Sequence, residues 1–131
     1  MSELREKIRE IIESEDVAVF IKGTPDMAMC GNSARAMDAL RAVGTGFTAV
    51  DILPDSQIRQ ELSALSSWPT IPQVFVKGEL VGGADIVQEL AASGELETAL
   101  DAKLGEGWRA TAGRERVAEV AGGPSPFRLV G

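Results

Sequence analysis

The run Val17–Ile21 constrains the fold more than any other part of the chain. Its residues, Val-Ala-Val-Phe-Ile, are all apolar, and three of them are β-branched. A strand with one face in water alternates apolar and polar residues, whereas an unbroken apolar run is typical of a strand covered on both faces. The run therefore predicts a central strand of a sheet with helices on each side.

The rest of the chain supplies strands and helices for such a sheet. Residues 47–52 alternate as a second strand, and Lys77-Gly78 predicts a hairpin between two short strands. Apolar residues at helical spacing predict five helices. The second covers residues 33–43, and the others are marked by Leu4, Ile8, Ile11 and Ile12; by Ile58, Leu62 and Leu65; by Ile86, Val87 and Leu90; and by Leu96, Leu100 and Leu104. This order predicts a layered α/β domain with a mixed sheet.

Length and charge limit the class of protein. The chain has 131 residues, which is enough for one domain with its own core. Its net charge of -7 argues against nucleic acid or an anionic membrane as a partner. Residues 1–13 are charged throughout and contain no apolar signal region, so we expect a cytoplasmic protein.

Histidine is absent, and cysteine occurs once, at Cys30. The absence of histidine excludes Ser-His-Asp and Cys-His catalysis and zinc sites of the Cys/His kind. A single cysteine excludes a disulfide within the chain. Chemistry beyond packing is therefore expected at the Cys30 thiol.

The composition changes after Gly105, which divides the chain into a domain over residues 1–105 and a C-terminal extension over residues 106–131. The extension carries four Arg and three Glu, and its segment 121–126 is too rich in Gly and Pro for regular structure. We expect a flexible extension, removable without loss of folding, in which residues 111–120 could form a short helix. The alternative is a docking segment that uses Trp108 or Phe127.

Cys30 lies where a loop that starts at Gly23 turns into a helix, and Lys22 ends the preceding strand. A helix N-terminus and a nearby cation both favour thiolate over thiol. The alternative is a buried, inert cysteine. The loop before Cys30 and Gly31 after it favour the reactive thiol.

Four separated motifs occur in one order: Lys22-Gly23-Thr24-Pro25-Asp26, Cys30-Gly31-Asn32-Ser33, Trp68-Pro69-Thr70-Ile71-Pro72-Gln73 and Gly82-Gly83-Ala84-Asp85. Together they resemble the monothiol glutaredoxins of the single-domain branch, whose signature is Cys-Gly-Phe-Ser. The resemblance covers about residues 3–104 of the sequence and leaves the extension unexplained. It implies a thioredoxin-like fold, with a four-stranded mixed sheet flanked by helices, and glutathione as the ligand.

The resemblance also implies how the chain would hold the glycine end and the peptide of glutathione. Lys22 and Arg59 resemble the family's pair for the glycine carboxylate, in which Arg offers a bidentate fork and Lys a point charge. Pro72 is expected to follow a cis peptide bond, which would turn the Ile71 backbone outward to pair with the peptide like an added strand. The alternatives are solvated surface charges and an ordinary turn proline.

The γ-glutamyl end of glutathione is expected at the next helix start. Gly82 and Gly83 let a ligand approach the backbone, the N–H groups of Ala84 and Asp85 suit a carboxylate, and the Asp85 side chain suits an ammonium. The alternative for Asp85 is an ordinary acidic residue in the first turn of a helix.

Two functions follow from one thiol. Since Ser33 stands where a dithiol motif has its second cysteine, a dithiol route within the motif is unavailable. A 2Fe-2S cluster needs four ligands. The resemblance implies a homodimer that supplies two Cys30 thiolates and two bound glutathiones, with BolA-like proteins and apo iron-sulfur proteins as partners. The alternative is a glutathione-dependent disulfide oxidoreductase, at most a weak enzyme in this branch, and a third candidate is a non-catalytic interaction module.

The sequence departs from the family pattern near the thiol. Asn32 replaces the Phe of the signature, Ala28 replaces a residue that is often proline, and Ala84 replaces one that is often cysteine. We expect the Asn32 amide to admit water, which would make a cluster more labile or favour disulfide chemistry. The roles of Ser33, Trp68 and Thr70 are left open.

Overall fold

The computed structural model describes residues 2–120 and the backbone of residues 127–128. The predicted irregular segment 121–126 and the docking role suggested for the Phe127 side chain lie outside the described residues. Across the described part, none of the helices combines the length and hydrophobicity needed to cross a lipid bilayer.

Helices and strands alternate through the described chain. In chain order the elements are α1 Glu3–Ser14, β1 Val17–Ile21, α2 Gly31–Val43, β2 Phe47–Asp51, α3 Ser56–Ser66, β3 Gln73–Val76, β4 Glu79–Gly82, α4 Ala84–Ser93, α5 Glu95–Leu104, a 3-10 helix Glu106–Thr111, β5 Glu115–Ala118 and β6 Phe127–Arg128. Ser2 begins α1 by accepting the Arg5 N–H, and Gly44 ends α2 in the left-handed conformation, as their residue types predict.

β1 lies inside a mixed sheet with the strand order β4-β3-β1-β2-β5-β6. It pairs in parallel with β2 and antiparallel with β3, and all of its residues are buried. The prediction of a central strand is therefore confirmed. Strands β1 to β4, flanked by helices, form the mixed sheet that a thioredoxin-like fold requires. The expected count of four strands is corrected, because β5 and β6 extend the sheet beyond β2.

The two faces of β1 contribute to two separate cores. Val17, Val19 and Ile21 belong to a core that also contains Met37 and Leu40 of α2. The alternate residues, Ala18 and Phe20, belong to a second core on the α1 and α3 face, with Ile8, Ile58 and Leu62. Side chains of a strand point alternately to opposite faces, so one five-residue run is buried twice.

The segment after Gly105 differs from the expected flexible extension. Trp108 is 3% exposed, belongs to the same core as Leu100, and donates from Nε1 to Asp101 Oδ1 at 2.7 Å. Residues 115–118, placed by the sequence in a possible helix, form β5, which pairs in parallel with β2. Pairing with the edge of β2 overrides the local preference of Glu-Arg-Val-Ala, because β propensity depends on what the strand packs against.

Gly46 is where this segment meets the start of β2. A Cβ at residue 46 would lie 2.5 Å from the Arg114 carbonyl oxygen and 2.6 Å from that of Thr111. The Gly46 N–H donates to the Thr111 hydroxyl oxygen at 2.9 Å, and the Phe47 N–H donates to the Arg114 carbonyl. The close backbone approach requires glycine at this position.

Candidate active site

Cys30 is the N-cap of α2, with φ -151° and ψ 150°. Its Sγ accepts the Ser33 N–H at 3.3 Å, and its side chain is half-buried. The residue therefore presents a sulfur atom where the first turn of a helix offers unpaired N–H groups, an environment that favours the thiolate. The predicted position of the thiol at a loop-to-helix junction is confirmed.

A tight loop joins β1 to Cys30. The Met29 N–H donates to the Lys22 carbonyl at 2.8 Å, which closes the loop on itself. Gly23 has φ 101°, and a Cβ there would lie 2.3 Å from the Met27 carbonyl oxygen. The Gly23 N–H donates to Asp51 Oδ1 at 2.9 Å, which ties the loop to the end of β2. These backbone contacts fix the approach to the thiol.

Ser33, whose role the sequence leaves open, contacts the thiol directly. It is fully buried, and its Oγ lies 2.9 Å from Cys30 Sγ. The same Oγ accepts the Lys22 N–H at 3.1 Å. Since that bond occupies an oxygen lone pair, the hydroxyl hydrogen can point at the sulfur. Ser33 thus donates to the Cys30 thiolate from the position that a second cysteine would occupy.

The local charges and hydrogen bonds shift the pKa of Cys30. Burial by itself raises the pKa of the thiol. The side-chain and backbone hydrogen bonds from Ser33, the positive charge of Lys22 and the Asn32 N–H act in the other direction, and together they outweigh burial. The pKa of the Cys30 thiol therefore lies below its ordinary value, and thiolate forms more readily than on an exposed cysteine.

The two predicted cations are carried by different elements of the fold. Lys22 follows β1 and acts electrostatically on Cys30. Arg59 lies on α3, is exposed, and donates from Nη2 to the Pro69 carbonyl at 3.2 Å. Among the described residues the two cations make no contact with each other. Arg59 is instead connected to the loop of residues 68–72.

Loop 68–72 is held in place from below by Gln73, a residue to which the sequence analysis gave no role. Gln73 is completely buried, and its Nε2 donates to the carbonyls of Trp68 at 2.9 Å and Thr70 at 3.2 Å. The sequence signal is a polar residue at the start of an otherwise apolar strand. The Ile71–Pro72 peptide bond is cis, as the resemblance implies. Apart from the hydrogen bonds within helices and strands, the described chain has no backbone hydrogen bond to the Ile71 N–H or C=O.

Gly83 brings the start of α4 against this loop. A Cβ at residue 83 would lie 3.4 Å from the Pro72 carbonyl oxygen and 3.5 Å from Trp68 Nε1. That indole nitrogen is buried and has no hydrogen-bond partner within the described residues. As an N-cap, Gly83 supplies no side chain, so the first N–H groups of α4, on Ala84 and Asp85, are left for another acceptor.

Asp85 has a partner that the sequence analysis missed. Arg35 of α2 donates from Nη2 to Asp85 Oδ1 at 2.6 Å and from Nη1 to Asn32 Oδ1 at 2.8 Å. The Asn32 amide, expected to admit water beside the thiol, thus holds the Arg35 guanidinium. Arg35 could not be assigned from sequence, because its partner on α4 lies 50 residues away.

The described chain holds no complete metal site of its own. No group of three or more Cys, His, Asp or Glu side chains within residues 2–120 is placed to hold a metal ion. Cys30 could contribute one thiolate ligand, so any cluster bound there would need ligands from outside this chain.

Comparison with known proteins matches residues 17–81 to the family model described as Glutaredoxin. Monothiol glutaredoxin-S11 of Oryza sativa subsp. japonica is 47% identical over 97 residues, which span 74% of this chain but only 20% of that relative. The probable monothiol glutaredoxin GrlA of Legionella pneumophila is 52% identical over 82 residues, which are 63% of this chain and 92% of the relative.

Solved structures share the fold. The solution structure of a monomeric truncated mutant of Trypanosoma brucei 1-C-Grx1 matches with a TM-score of 0.70 at 43% identity, covering 79% of this chain and 94% of that one. A crystal structure of a buckwheat glutaredoxin-glutathione complex matches with a TM-score of 0.65 at 24% identity, covering 76% of this chain and 88% of that one. At that identity the second likeness shows the fold alone.

Proposed function

Because this chain belongs to the glutaredoxin family, and within it to the monothiol proteins, we propose that it binds glutathione beside Cys30 and carries or transfers a glutathione-ligated 2Fe-2S cluster. The proposed setting is iron-sulfur protein maturation and redox homeostasis. The observation that carries the proposal is a single half-buried thiol with a lowered pKa, at a helix N-cap, whose neighbour at the usual second-cysteine position is a hydrogen-bonding serine.

The residues around Cys30 fit the parts of glutathione. Lys22 and Arg59 offer positive charge for the glycine carboxylate, and the Ile71 backbone offers hydrogen bonds for the peptide. The uncapped start of α4 suits the γ-glutamyl carboxylate, and Asp85 suits its ammonium. Glutathione is the ligand in the buckwheat complex, which shares this fold. The local basic residues allow an acidic chain to bind an acidic tripeptide.

Ligand arithmetic supports a shared cluster as the cargo. One chain offers one thiolate, whereas a 2Fe-2S cluster takes four ligands. Two chains and two bound glutathiones supply four sulfur atoms, so we propose a homodimer when the cluster is bound. Ser33 stabilises the Cys30 thiolate and cannot itself form a disulfide with it. From the family resemblance we propose BolA-like proteins and apo iron-sulfur proteins as partners, in a reducing compartment such as the cytoplasm.

Thiol-disulfide exchange is the second candidate, and the lowered pKa of Cys30 favours it. In that reaction the Cys30 thiolate attacks the glutathione sulfur of a mixed disulfide, a Cys30–glutathione disulfide forms, and the client leaves as a thiolate. A second glutathione thiolate then attacks the glutathione sulfur, which releases glutathione disulfide and restores the Cys30 thiolate.

Anaerobic reconstitution tests the two candidates against each other. The full chain and Cys30→Ser are incubated with ferrous iron, sulfide and glutathione, and visible absorption is recorded. The same preparations are then assayed for reduction of a glutathione mixed disulfide. A carrier gives the absorption of a 2Fe-2S cluster that Cys30→Ser lacks. A colourless protein that reduces the disulfide through Cys30 is an oxidoreductase, and a protein that does neither is an interaction module.

A further inference from the structure

The Arg35 guanidinium bridges the first turns of two helices that meet at the proposed glutathione site. In addition to Asn32 and Asp85, it contacts Gln88 of α4, to which Arg35 Nε donates at 3.0 Å. Asn32 is the second residue after Cys30, and Asp85 is the second residue of α4. The bridge therefore connects the helix that carries the thiol to the helix whose uncapped start faces loop 68–72.

The pair formed by Arg35 and Asp85 is accessible to a solute. The Arg35 side chain is 41% exposed and that of Asp85 is 87% exposed. Arg35 bonds to Asp85 Oδ1, and Asp85 Oδ2 has no partner within the described residues. Arg35 has five N–H donors, and its four side-chain hydrogen bonds leave one hydrogen on Nη1 available.

A cation and an anion fixed 2.6 Å apart are complementary to a ligand that carries both charges on one carbon atom. The γ-glutamyl end of glutathione is such a group, because its α-carbon carries an ammonium and a carboxylate. Asp85 Oδ2 can accept from the ammonium, and the Arg35 Nη1 hydrogen can be donated to the carboxylate. An isolated carboxylate or ammonium would satisfy only one member of the pair.

We propose that Arg35 is a glutathione-binding residue that, with Asp85, recognises the paired charges of the γ-glutamyl head group. Asn32 is a positioning residue that keeps the Arg35 guanidinium over Asp85. The inference rests on the proposed function in that it takes glutathione as the ligand. It gives a role to the Asn32 side chain that replaces the phenyl ring of the family signature.

Calorimetric titration with S-methylglutathione tests the proposal, because the methylated sulfur cannot exchange with Cys30. The second ligand is the same molecule with the γ-glutamyl α-carboxylate converted to an amide. In the full chain, Arg35→Met is expected to weaken binding of S-methylglutathione about tenfold, since a charge-assisted hydrogen bond is lost. Binding of the amide analogue is expected to be the same for Arg35→Met and the unmodified chain.

Arg109→Met is the control. Arg109 lies in the 3-10 helix, with a side chain 53% exposed, and pairs with Glu97 and Asp101 of α5, away from the site. It should leave both affinities unchanged. Arg35→Lys, which keeps the charge and loses the planar fork, should bind S-methylglutathione with intermediate affinity. Melting temperatures of all variants identify any that do not fold.

Asn32→Ala separates positioning from general structure. It should weaken S-methylglutathione binding about threefold in the unmodified chain and have no effect in Arg35→Met, because Asn32 acts through Arg35. If Arg35→Met weakens the binding of both ligands equally, or of neither, the role given to Arg35 is wrong. The proposal that the chain binds glutathione would still stand. If the unmodified chain binds neither ligand, the proposed function fails and this inference fails with it.

Discussion

Residues 22–33, which connect β1 to α2, and residues 106–118, which follow α5, differ in the range of their contacts along the chain. In residues 22–33 short-range hydrogen bonds hold a half-buried sulfur atom toward solvent, and Cys30 and Ser33 are three positions apart. In residues 106–118 the contacts are long-range. Trp108 is buried in the core, and Glu115 pairs with Arg41 across 74 positions.

Residues 22–33 therefore carry the chemistry of the thiol, whereas residues 106–118 stabilise the fold. The groups that lower the pKa of the thiol, Ser33, Asn32 and Lys22, all lie within residues 22–33, so this chemistry needs little from distant sequence. The segment of residues 106–118 has no reactive side chain, and it covers the core and the edge of β2. Substitutions in the two regions should therefore affect different measurements.

The largest effect is expected for Cys30→Ser. It should abolish cluster binding and disulfide exchange, because no other thiol exists in the chain. Serine is a good N-cap, so α2 should begin as before and the melting temperature should stay within a few degrees. Reconstitution, the exchange assay and thermal unfolding check this. A large drop in melting temperature would mean that Cys30 has a structural role as well.

Trp108→Ala should have the reverse effect. Removing a buried Trp side chain leaves a cavity, and the free energy of unfolding is expected to fall by about 3 kcal/mol or more. Deletion after Gly105 should destabilise at least as much, against the expectation from sequence that the extension is removable. Denaturant unfolding measures both changes.

Leu53→Ala is the control for Trp108→Ala, because Leu53 is an apolar residue that is 49% exposed. It should change the free energy of unfolding by less than about 0.5 kcal/mol. Under conditions where Trp108→Ala is still folded, its Cys30 should react with iodoacetamide at the rate of the unmodified chain. A slower rate would show that the two regions are coupled.

Ser33→Ala should raise the pKa of Cys30, because it removes the hydroxyl bond that favours the thiolate. The alkylation rate rises with pH as thiolate forms, so the midpoint of that rise should move to higher pH. At pH 7 the rate should fall severalfold, up to about tenfold for a shift of one pKa unit. Ser93→Ala, on the exposed end of α4, should not move the midpoint. An unchanged midpoint in Ser33→Ala would contradict the role given to its hydroxyl.

The smallest effect is expected for Glu115→Gln on β5. The hydrogen bond from Arg41 lowers the pKa of the Glu115 carboxyl, so the carboxylate stabilises the fold above its unfolded pKa. That stability is lost as pH falls through the lowered folded pKa. Glu115→Gln should therefore lower the free energy of unfolding by about 0.5 kcal/mol at pH 7, because the pair is partly exposed.

The difference between the two proteins should vanish at acid pH, below the folded pKa of Glu115, where the carboxyl is protonated in the unmodified chain. Urea unfolding at neutral and acid pH gives the comparison. A difference that persists at acid pH would mean that Glu115 acts through packing instead of charge.

The same contrast between local and long-range contacts explains what the sequence could predict. The apolar run Val17–Ile21 is enough by itself to predict a central strand, and the residues next to Cys30 are enough to predict a helix start there. The Glu-Arg-Val-Ala of β5 contains no strand pattern, since its conformation comes from pairing with β2. Arg35 resembles any exposed helical arginine until the fold brings α4 beside α2.

The native mass of the reconstituted protein, measured under nondenaturing and anaerobic conditions, tests most directly whether two chains share one cluster. One thiolate per chain predicts a species of two chains, two glutathiones and one 2Fe-2S cluster, which reverts to single chains when the cluster is removed. A cluster held by a single chain, or by two chains without glutathione, would contradict the proposed glutathione-ligated cluster shared by a homodimer.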